Sequence, residues 1–428
     1  MSSRITNNML SSNYLRNMKR NMNNMQTLQN QLASGNVINK ASDNPYTASR
    51  SMQLNAEISY NKQYNENIKD TTNWLDTTDT ALSQMGNIFG RVETLLVNAG
   101  NGAYGDDEKT AIQDEIKEKI NEISQVLNTS FDGSYIFGGT KTNSKPTAVI
   151  DGKLEYADKD GNSMTAYKQL DGTITTSATT ANTVYTLTSS DITALNSELT
   201  TATDSTRIAE INALVAAGVG ASEYKASDGT ITTSATSTNK QVGLSVADIT
   251  ALKNELSNTT SPPSTARQAE INSILTKAIP ITQINSELEV DITQGVKSVY
   301  NKNAVDILEF KDKNGKSINV SDLLSNIITD LGTSGTSSNL ITTHLSDIQS
   351  VTANLLQKRS EVGTMQNRMD SAQTNNETQN YNMTDILSKT EDIDFAEKTM
   401  EYSMMQTVYT AALQTSAKIL PMTILSYL

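Results

Sequence analysis

Cysteine is absent from this chain, and histidine occurs once, at His344. No disulfide, thiolate metal site or cysteine nucleophile can therefore form, and a histidine-rich metal centre cannot be assembled. Any catalysis would rest on carboxylates, hydroxyls or lysines. The absence fits an exported bacterial protein that meets no disulfide machinery, and fits a cytosolic one equally. Apolar residues are also scarce, at 36% of 428 residues, or about 41% with glycine included, against a usual ~45–50%. At roughly 150 residues per domain the length suggests about three domains, a rule that long-helix proteins break. The opening stretch from Met1 to Met22 holds no apolar core of a signal peptide, so any export is expected to proceed without a cleaved signal. No run approaches the length of a membrane-spanning segment, and no membrane insertion is expected.

Proline is equally rare, and its positions map the chain. The six prolines are Pro45, Pro146, Pro262, Pro263, Pro280 and Pro421, which leaves 46–145 and 281–420 free of the strongest helix breaker. In the first stretch Trp74, Thr78, Ala81, Met85, Ile88, Val92, Leu95 and Ala99 step alternately by four and three, flanked by Leu75, Leu82, Phe89 and Leu96 at sevens. That pattern predicts a wide coiled-coil-type face. A second helix is expected after Asp106 and Asp107, with Ile112, Ile116, Ile120, Ile123 and Leu127 on one stripe, packed antiparallel on the first.

The two ends of the chain read as amphipathic helices with thin seams. Leu15, Met18, Met22, Met25, Gln29 and Leu32 keep three-four spacing among Asn, Gln, Ser and Arg. Such a helix is marginal alone and relies on flexible methionine. It should stop at Ser34-Gly35, and the next should begin at Asn44-Pro45. Toward the other end, Leu345, Ile348, Leu355, Val362, Met365 and Met369 suit a long helix with a turn near Asn382. A stripe of Ala396, Met400, Ser403, Thr407, Ala411 and Gln414 then runs to Leu420-Pro421. Residues 1–56 hold six basic groups and one acid (6 − 1 = +5), and 385–428 hold three basic and six acidic groups (3 − 6 = −3). The ends are electrostatically complementary, which favours their pairing, although exposed ion pairs contribute little singly.

The middle has a different composition. Residues 141–299 are rich in Thr, Ser and Asp-Gly turns, and Asp171–Thr179 recurs letter for letter as Asp228–Thr236, an offset of 57 (228 − 171). Asp191–Leu195 against Asp248–Leu252 keeps that offset, and Ala209–Asn212 against Ala269–Asn272 is displaced by 60. Each unit reads as a Thr-rich strand or hairpin followed by two short helices, a duplicated decoration on a surface domain where insertions are tolerated.

Several short motifs invite chemistry and decline it. Gly100-Asn-Gly-Ala-Tyr-Gly105 matches the dinucleotide pattern literally, but a helix precedes it where a strand is required, and Asp106 and Asp107 would repel phosphate, so a helix-to-helix turn is expected. Asp158, Asp160, Gly161 and Asn162 resemble a calcium loop with its glycine misplaced and Gln169 where a bidentate Glu is needed; a hairpin turn is expected there and at Lys313-Asn314-Gly315. His344 is expected on the surface. The Arg16, Lys19, Arg20 cluster in a chain of net charge −13 without interleaved aromatics predicts a solvated helix face and no nucleic-acid partner.

Arg4-Ile5-Thr6, Leu28–Gly35, Ile38 and Ala41-Ser42-Asp43-Asn44-Pro45 resemble the N-terminus of the flagellin superfamily. Glu391–Glu397, Gln414–Leu420 and Leu425-Ser426-Tyr427-Leu428 resemble its C-terminus. Tyr135-Ile-Phe-Gly-Gly-Thr140, Arg359–Gly363 and Asn367-Arg368-Met369 resemble its hook-associated protein 3 branch, the hook–filament junction family. The resemblance covers about 1–145 and 300–428.

The resemblance implies a non-enzymatic structural protein without cofactor or metal. The expected fold is mainly α, with long antiparallel helices or coiled coil from both chain ends and an inserted α+β surface domain. The expected regions are 1–45 with 385–428 for assembly, 46–140 with 300–384 as a helical rod core, and 141–299 as a variable insert duplicated over about 166–222 and 223–280. Leu15, Met18, Met22, Met25, Leu32, Ala396, Met400, Ala411 and Leu420 are expected at the subunit interface; Trp74, Ala81, Met85, Ile88, Val92 and Leu95 in the monomer core. The implied partners are further copies in a ring, a hook-side hook-associated protein, flagellin and an export chaperone, with the protein located outside the cell in the flagellum. A filament flagellin, a glycan-binding or enzymatic module in the insert, and a phage-like fibre remain alternatives.

Overall fold

The computed structural model describes residues 7–100, 105–169, 173–178, 183–186, 189–217, 222–225, 231–232, 240–260, 262–333 and 340–425. The chain opens with three helices, α1 (Asn7–Ser34), α2 (Pro45–Ala99) and α3 (Asp106–Leu127). Six short strands follow: β1 (Ser130–Phe131), β2 (Ser134–Tyr135), β3 (Thr147–Ile150), β4 (Lys153–Tyr156), β5 (Thr165–Lys168) and β6 (Ile174–Thr175). The duplicated region continues as β7 (Thr183–Thr186), α4 (Ser189–Leu199), α5 (Ser205–Ala217), β8 (Ser222–Lys225), β9 (Ile231–Thr232), β10 (Lys240–Gly243), α6 (Val246–Leu256) and α7 (Thr265–Lys277). After α8 (Ile279–Ile284) come β11 (Glu289–Thr293), β12 (Val296–Val299), α9 (Ala304–Leu308), β13 (Glu309–Lys311), β14 (Ser317–Asn319) and α10 (Val320–Leu331). A π-turn at Leu340–His344 leads into α11 (Leu345–Glu391) and α12 (Phe395–Leu425). The fold is thus helix-dominated, and every strand pair with a described register is antiparallel.

The boundaries follow local chemistry. α1 ends at Ser34 because Gly35 adopts φ +77°, a left-handed stop that costs glycine nothing. α2 starts at Pro45, with the Asn44 carboxamide oxygen accepting from Thr47 N at 3.3 Å. α3 opens with Asp106, Asp107 and Glu108 in its first turn, and Glu108 reaches back to Gly105 N at 3.0 Å. The turn at 100–105 joins helix to helix as expected, with 101–104 outside the described residues.

Two compact units divide the chain, and α2 and α11 contribute a stretch to each. The larger comprises Thr71–Val290 and Val299–Asn367. Its centre is the broad face of α2, where Leu75, Leu82, Met85, Phe89, Val92 and Leu96 are fully buried. α3 lies antiparallel to α2: Arg91 pairs with Glu115 at 2.7 Å, each eight or nine residues from the connecting turn. α11 is antiparallel too, since Gln349 meets Glu93 (2.8 Å), Arg359 meets Asp79 (2.9 Å) and Gln366 meets Asp76 (2.7 Å). Trp74 packs edge-on against Phe131 and Tyr300, with ring centroids 6.2 and 5.7 Å away.

The segment around Gly139 seals this unit. Ile136 and Phe137 are fully buried, and Gly139 has φ +57° with its backbone pressed on that of Gln283 and Ile284. A Cβ there would lie 2.3 Å from the Gln283 carbonyl oxygen, so no other residue fits. Both Asx loops are turns. Asp158 Oδ1 accepts from Asp160 N and Asn162 N, and Asp312 Oδ1 accepts from Asn314 N and Lys316 N, each at 2.8–2.9 Å. The backbone donors hold the Asp158 carboxyl below the usual carboxylate range.

Two expectations fail. The helix predicted to turn near Asn382 runs on to Glu391, because no Gly or Pro intervenes and Asp385–Lys389 supports the continuing turn at 2.7 Å. His344 is buried rather than exposed, at 8%, with Nε2 2.8 Å from Asp330 Oδ2. Its partner lies 14 residues earlier on α10, a distance along the chain that spacing alone does not bridge.

Candidate assembly interface

The second unit comprises Met1–Asp70, Asp291–Ser298 and Arg368–Leu428. Within it α1 and α12 form an antiparallel pair. Tyr14 donates to the Ala412 carbonyl, Leu28 lies beside Met404 and Met405, and Gly35 O accepts from Ile393 N at 3.0 Å. The linkers are tied together as well: Val37 N donates to Glu391 O at 2.6 Å, and Asn36 bridges Asp392. Asp394 caps α12, accepting from Ala396 N and Glu397 N at 2.9 and 3.1 Å.

One face of the pair is closed and the other is open. Met18, Met25 and Leu32 are half-buried, and Leu28, in the same stripe, is buried beside Met404 and Met405 of α12. Leu15 and Met22 point outward, 58% and 49% exposed. On α12 all of Ala396, Met400, Ser403, Thr407 and Ala411 are exposed, while Glu401, Tyr402, Met405 and Tyr409 turn toward cover. The small-residue stripe read from the sequence is therefore the outer face of α12. The side chain of Leu420 lies outside the described residues. Sequence reasoning missed Met404 and Val408, which with Met400 form an exposed apolar row at four-residue spacing (66%, 64% and 49% exposed). That spacing was the available signal. A shallow groove of about 340 Å³ runs beside it, lined by Asn24, Leu28, Gln31, Glu401 and Met404.

The charge complementarity of the two ends does not appear as contacts. Among the described residues no ion pair joins α1 to α12; Lys398 pairs within its own helix with Glu401 at 2.8 Å. The hold comes from half-buried methionine, leucine and tyrosine. A seam of that size offsets little of the entropy of ordering two helices of 28 and 31 residues.

The rest of this unit packs through a single row of apolar residues, Ile58, Ile68 and Met369 among them, interleaved with polar groups. Where 45–70 of α2 meets 368–391 of α11, Asn61 donates to Gln379 at 3.4 Å, and Asn376 donates to Asn65 Oδ1 at 3.1 Å and to Ile292 O at 2.8 Å. The core residues predicted for the other unit, Trp74, Ala81, Met85, Ile88, Val92 and Leu95, are all buried there. No cluster of His, Asp or Glu suited to a metal occurs among the described residues, and no described helix is long and apolar enough to cross a membrane.

Comparison with known proteins agrees with this architecture of paired ends. Residues 5–142 match the bacterial flagellin N-terminal helical region, and 345–428 match the bacterial flagellin C-terminal helical region, together just over half of the chain. A flagellin of Clostridium tyrobutyricum is 26% identical over 400 residues, covering 93% of this chain and 94% of that protein. The flagellar filament 41 kDa core protein of Borreliella burgdorferi is 33% identical over 105 residues, which is 24% of this chain and 31% of that protein. Among solved structures, flagellar hook associated protein-3 from Legionella pneumophila aligns over 79% of this chain and 98% of its own, with TM-score 0.39 and 15% identity. Both terminal helical regions being present, in order and paired with one another, the chain belongs to the flagellin family and is a structural component of the bacterial flagellum.

Proposed function

We propose that this chain is the subunit of the junction between hook and filament, and that it acts by assembly. The observation that carries the assembly reading is the exposed apolar row Met400, Met404 and Val408 on α12, together with exposed Leu15 and Met22 on α1, on helices too thinly packed to be self-sufficient. Copies stacked as a ring would cover that row and supply the missing apolar area. In this reading 1–45 with 385–428 is the assembly region, 46–140 with 300–384 the rod core, and 141–299 the outward insert. The neighbours are a hook-side hook-associated protein and flagellin, and the chain reaches its place outside the cell through an export route served by a chaperone. The junction assignment is supported by the Ser42-Asp43-Asn44-Pro45, Tyr135–Thr140 and Leu425–Leu428 segments.

A filament subunit is the second reading, favoured by the match to a flagellin over nearly its whole length. Deleting the gene and examining cells by electron microscopy separates the two. Bare hooks with flagellin shed into the medium are expected of a junction subunit. Filaments of normal length on the deletion strain would overturn the junction reading and leave a minor flagellin.

A further inference from the structure

The insert does not fold one repeat at a time. Each repeat supplies a hairpin, then a strand and two helices: β5–β6 with β7, α4 and α5 from the first, and β8–β9 with β10, α6 and α7 from the second. In space the parts are exchanged. The β5–β6 hairpin pairs with β10, and the β8–β9 hairpin pairs with β7.

The two sheets are nevertheless the same object. Lys240 lies opposite Lys168 and Gly243 opposite Thr165 in one; Thr183 lies opposite Lys225 and Thr186 opposite Ser222 in the other. Every position in the first ladder is thus 57 residues from its counterpart in the second (240 − 183, 225 − 168). The helix pairs repeat an arginine clamp: Arg207 holds Glu198 and Glu210, and Arg267 holds Glu255 and Glu270, all at 2.7 Å. Their cores coincide too. Leu195, Ile211 and Leu214 form a buried cluster of their own, and Leu252, Ile271 and Ile274 are buried at the matching positions.

Within a repeat the hairpin and the following strand are separated by 176–182 or 233–239, whereas α5 and the next hairpin are separated only by 218–221. The four-residue connection delivers the second hairpin directly after the first strand–helix half, although the paired strands themselves lie 36 to 42 residues apart (222 − 186, 225 − 183). Residues 183–232 thereby complete a unit with its own core, set between β6 and β10 of an outer unit that is assembled from the two parts left over.

We propose that this inner unit is a removable passenger. The outer unit, β5–β6 with β10, α6 and α7, closes without it, so the insert is built to lose or gain whole repeats. Deleting 183–239 removes one repeat of 57 residues and joins the β5–β6 hairpin to β10 through 176–182, a link as long as that within each natural repeat.

The test uses the absence of cysteine. In the full chain, Tyr167→Cys with Gln241→Cys and, separately, Val184→Cys with Tyr224→Cys place thiols on directly opposed residues and should close as intramolecular disulfides. Tyr167→Cys with Val184→Cys, which would report pairing within one repeat, should stay open. In the chain lacking 183–239 the Tyr167→Cys and Gln241→Cys pair should still close, and amide exchange over 165–168 should stay within about threefold of the parent. Closure of the within-repeat pair in the full chain would overturn the exchange. Loss of the disulfide and of amide protection in the deletion, with the helical rod still protected, would overturn the passenger.

Discussion

The same helix, α2, is packed in two ways. Along 71–99 it buries two rows of side chains, among them Leu75, Leu82, Met85, Phe89, Val92 and Leu96 without exposure. Along 45–70 its buried positions thin to Ser51, Ile58, Asn61 and Ile68, a single row at steps of seven, three and seven. α11 changes in step, from Ile348, Val351, Leu355 and Val362 to Met369 and Asn376. A fully buried aliphatic or aromatic side chain contributes about 1.5–3 kcal/mol, so the two-row stretch is held by burial. The one-row stretch gains less from burial and uses hydrogen-bonded asparagines, which specify register at a cost in stability. A subunit that assembles needs both: a part that is folded before it arrives, and a part whose partners are supplied on arrival.

Truncating the two stretches should give unequal losses. Phe89→Ala, in the two-row stretch, should cost about 3–5 kcal/mol, and Ile58→Ala should cost nearer 2. Thermal melts of the purified chain, followed by far-ultraviolet circular dichroism, read both. Equal losses would break the contrast and place the narrow seam on the same footing as the broad one.

Asn376 is the next lever, at 1% exposure and bonded to Asn65 and to the Ile292 carbonyl. Asn376→Ala leaves both partners without their donor and should cost about 1–3 kcal/mol. The loss should appear as faster amide exchange in 291–298 and 45–70, with 71–99 unchanged. Faster exchange spread evenly over both units would show that the asparagine does not act locally.

How far the sequence disclosed this division depends on which residues carry it. Heptad spacing of Trp74 to Ala99 made the broad face legible, and Gly35 and Pro45 fixed the helix boundaries, because each acts through its own backbone. The narrow seam escaped notice because Ser51, Asn61 and Asn376 do not register as hydrophobic periodicity, and the two asparagines bond to residues more than 300 positions away. His344 was misplaced because its partner, Asp330, lies on a different helix, 14 residues earlier. Asn382 invited a turn through propensity alone, and propensity is a weak prior inside a long helix. The duplication was visible letter for letter, but the exchange of its halves shows only in the strand pairing, since both repeats offer the same hairpin and strand.

Burial in the larger unit carries a cost of its own. Lys141 donates to the carbonyls of Lys145 and Ala157 at 2.6 and 2.8 Å, yet desolvation brings it down to about 8, with Asp158 opposing. Between pH 8 and the ordinary lysine value near 10.5 the unfolded chain binds the proton that the folded chain has lost. Stability from this group should therefore rise with pH across that window, and Lys141→Met should flatten the rise. Urea midpoints measured at pH 7.5, 8.5 and 9.5 check the sign; a midpoint falling faster in the parent than in the variant would refute it.

The smallest effect on the monomer should be the largest on assembly. Met404→Asp changes a side chain that is 64% exposed at the rim of the groove beside Leu28 and away from the linker bonds, and the monomer should keep its stability within about 0.5 kcal/mol. In a stacked ring the same carboxylate would be buried without a partner, at a cost of several kcal/mol per copy. Light scattering of concentrated protein, and rescue of the deletion strain with the variant gene, read the assembled state; melting reads the monomer. A variant that melts normally and assembles normally would show that this row faces solvent in the finished structure. One that melts lower would show that α12 is already spent on the monomer fold, and with it the distinction between a self-sufficient part and a waiting one.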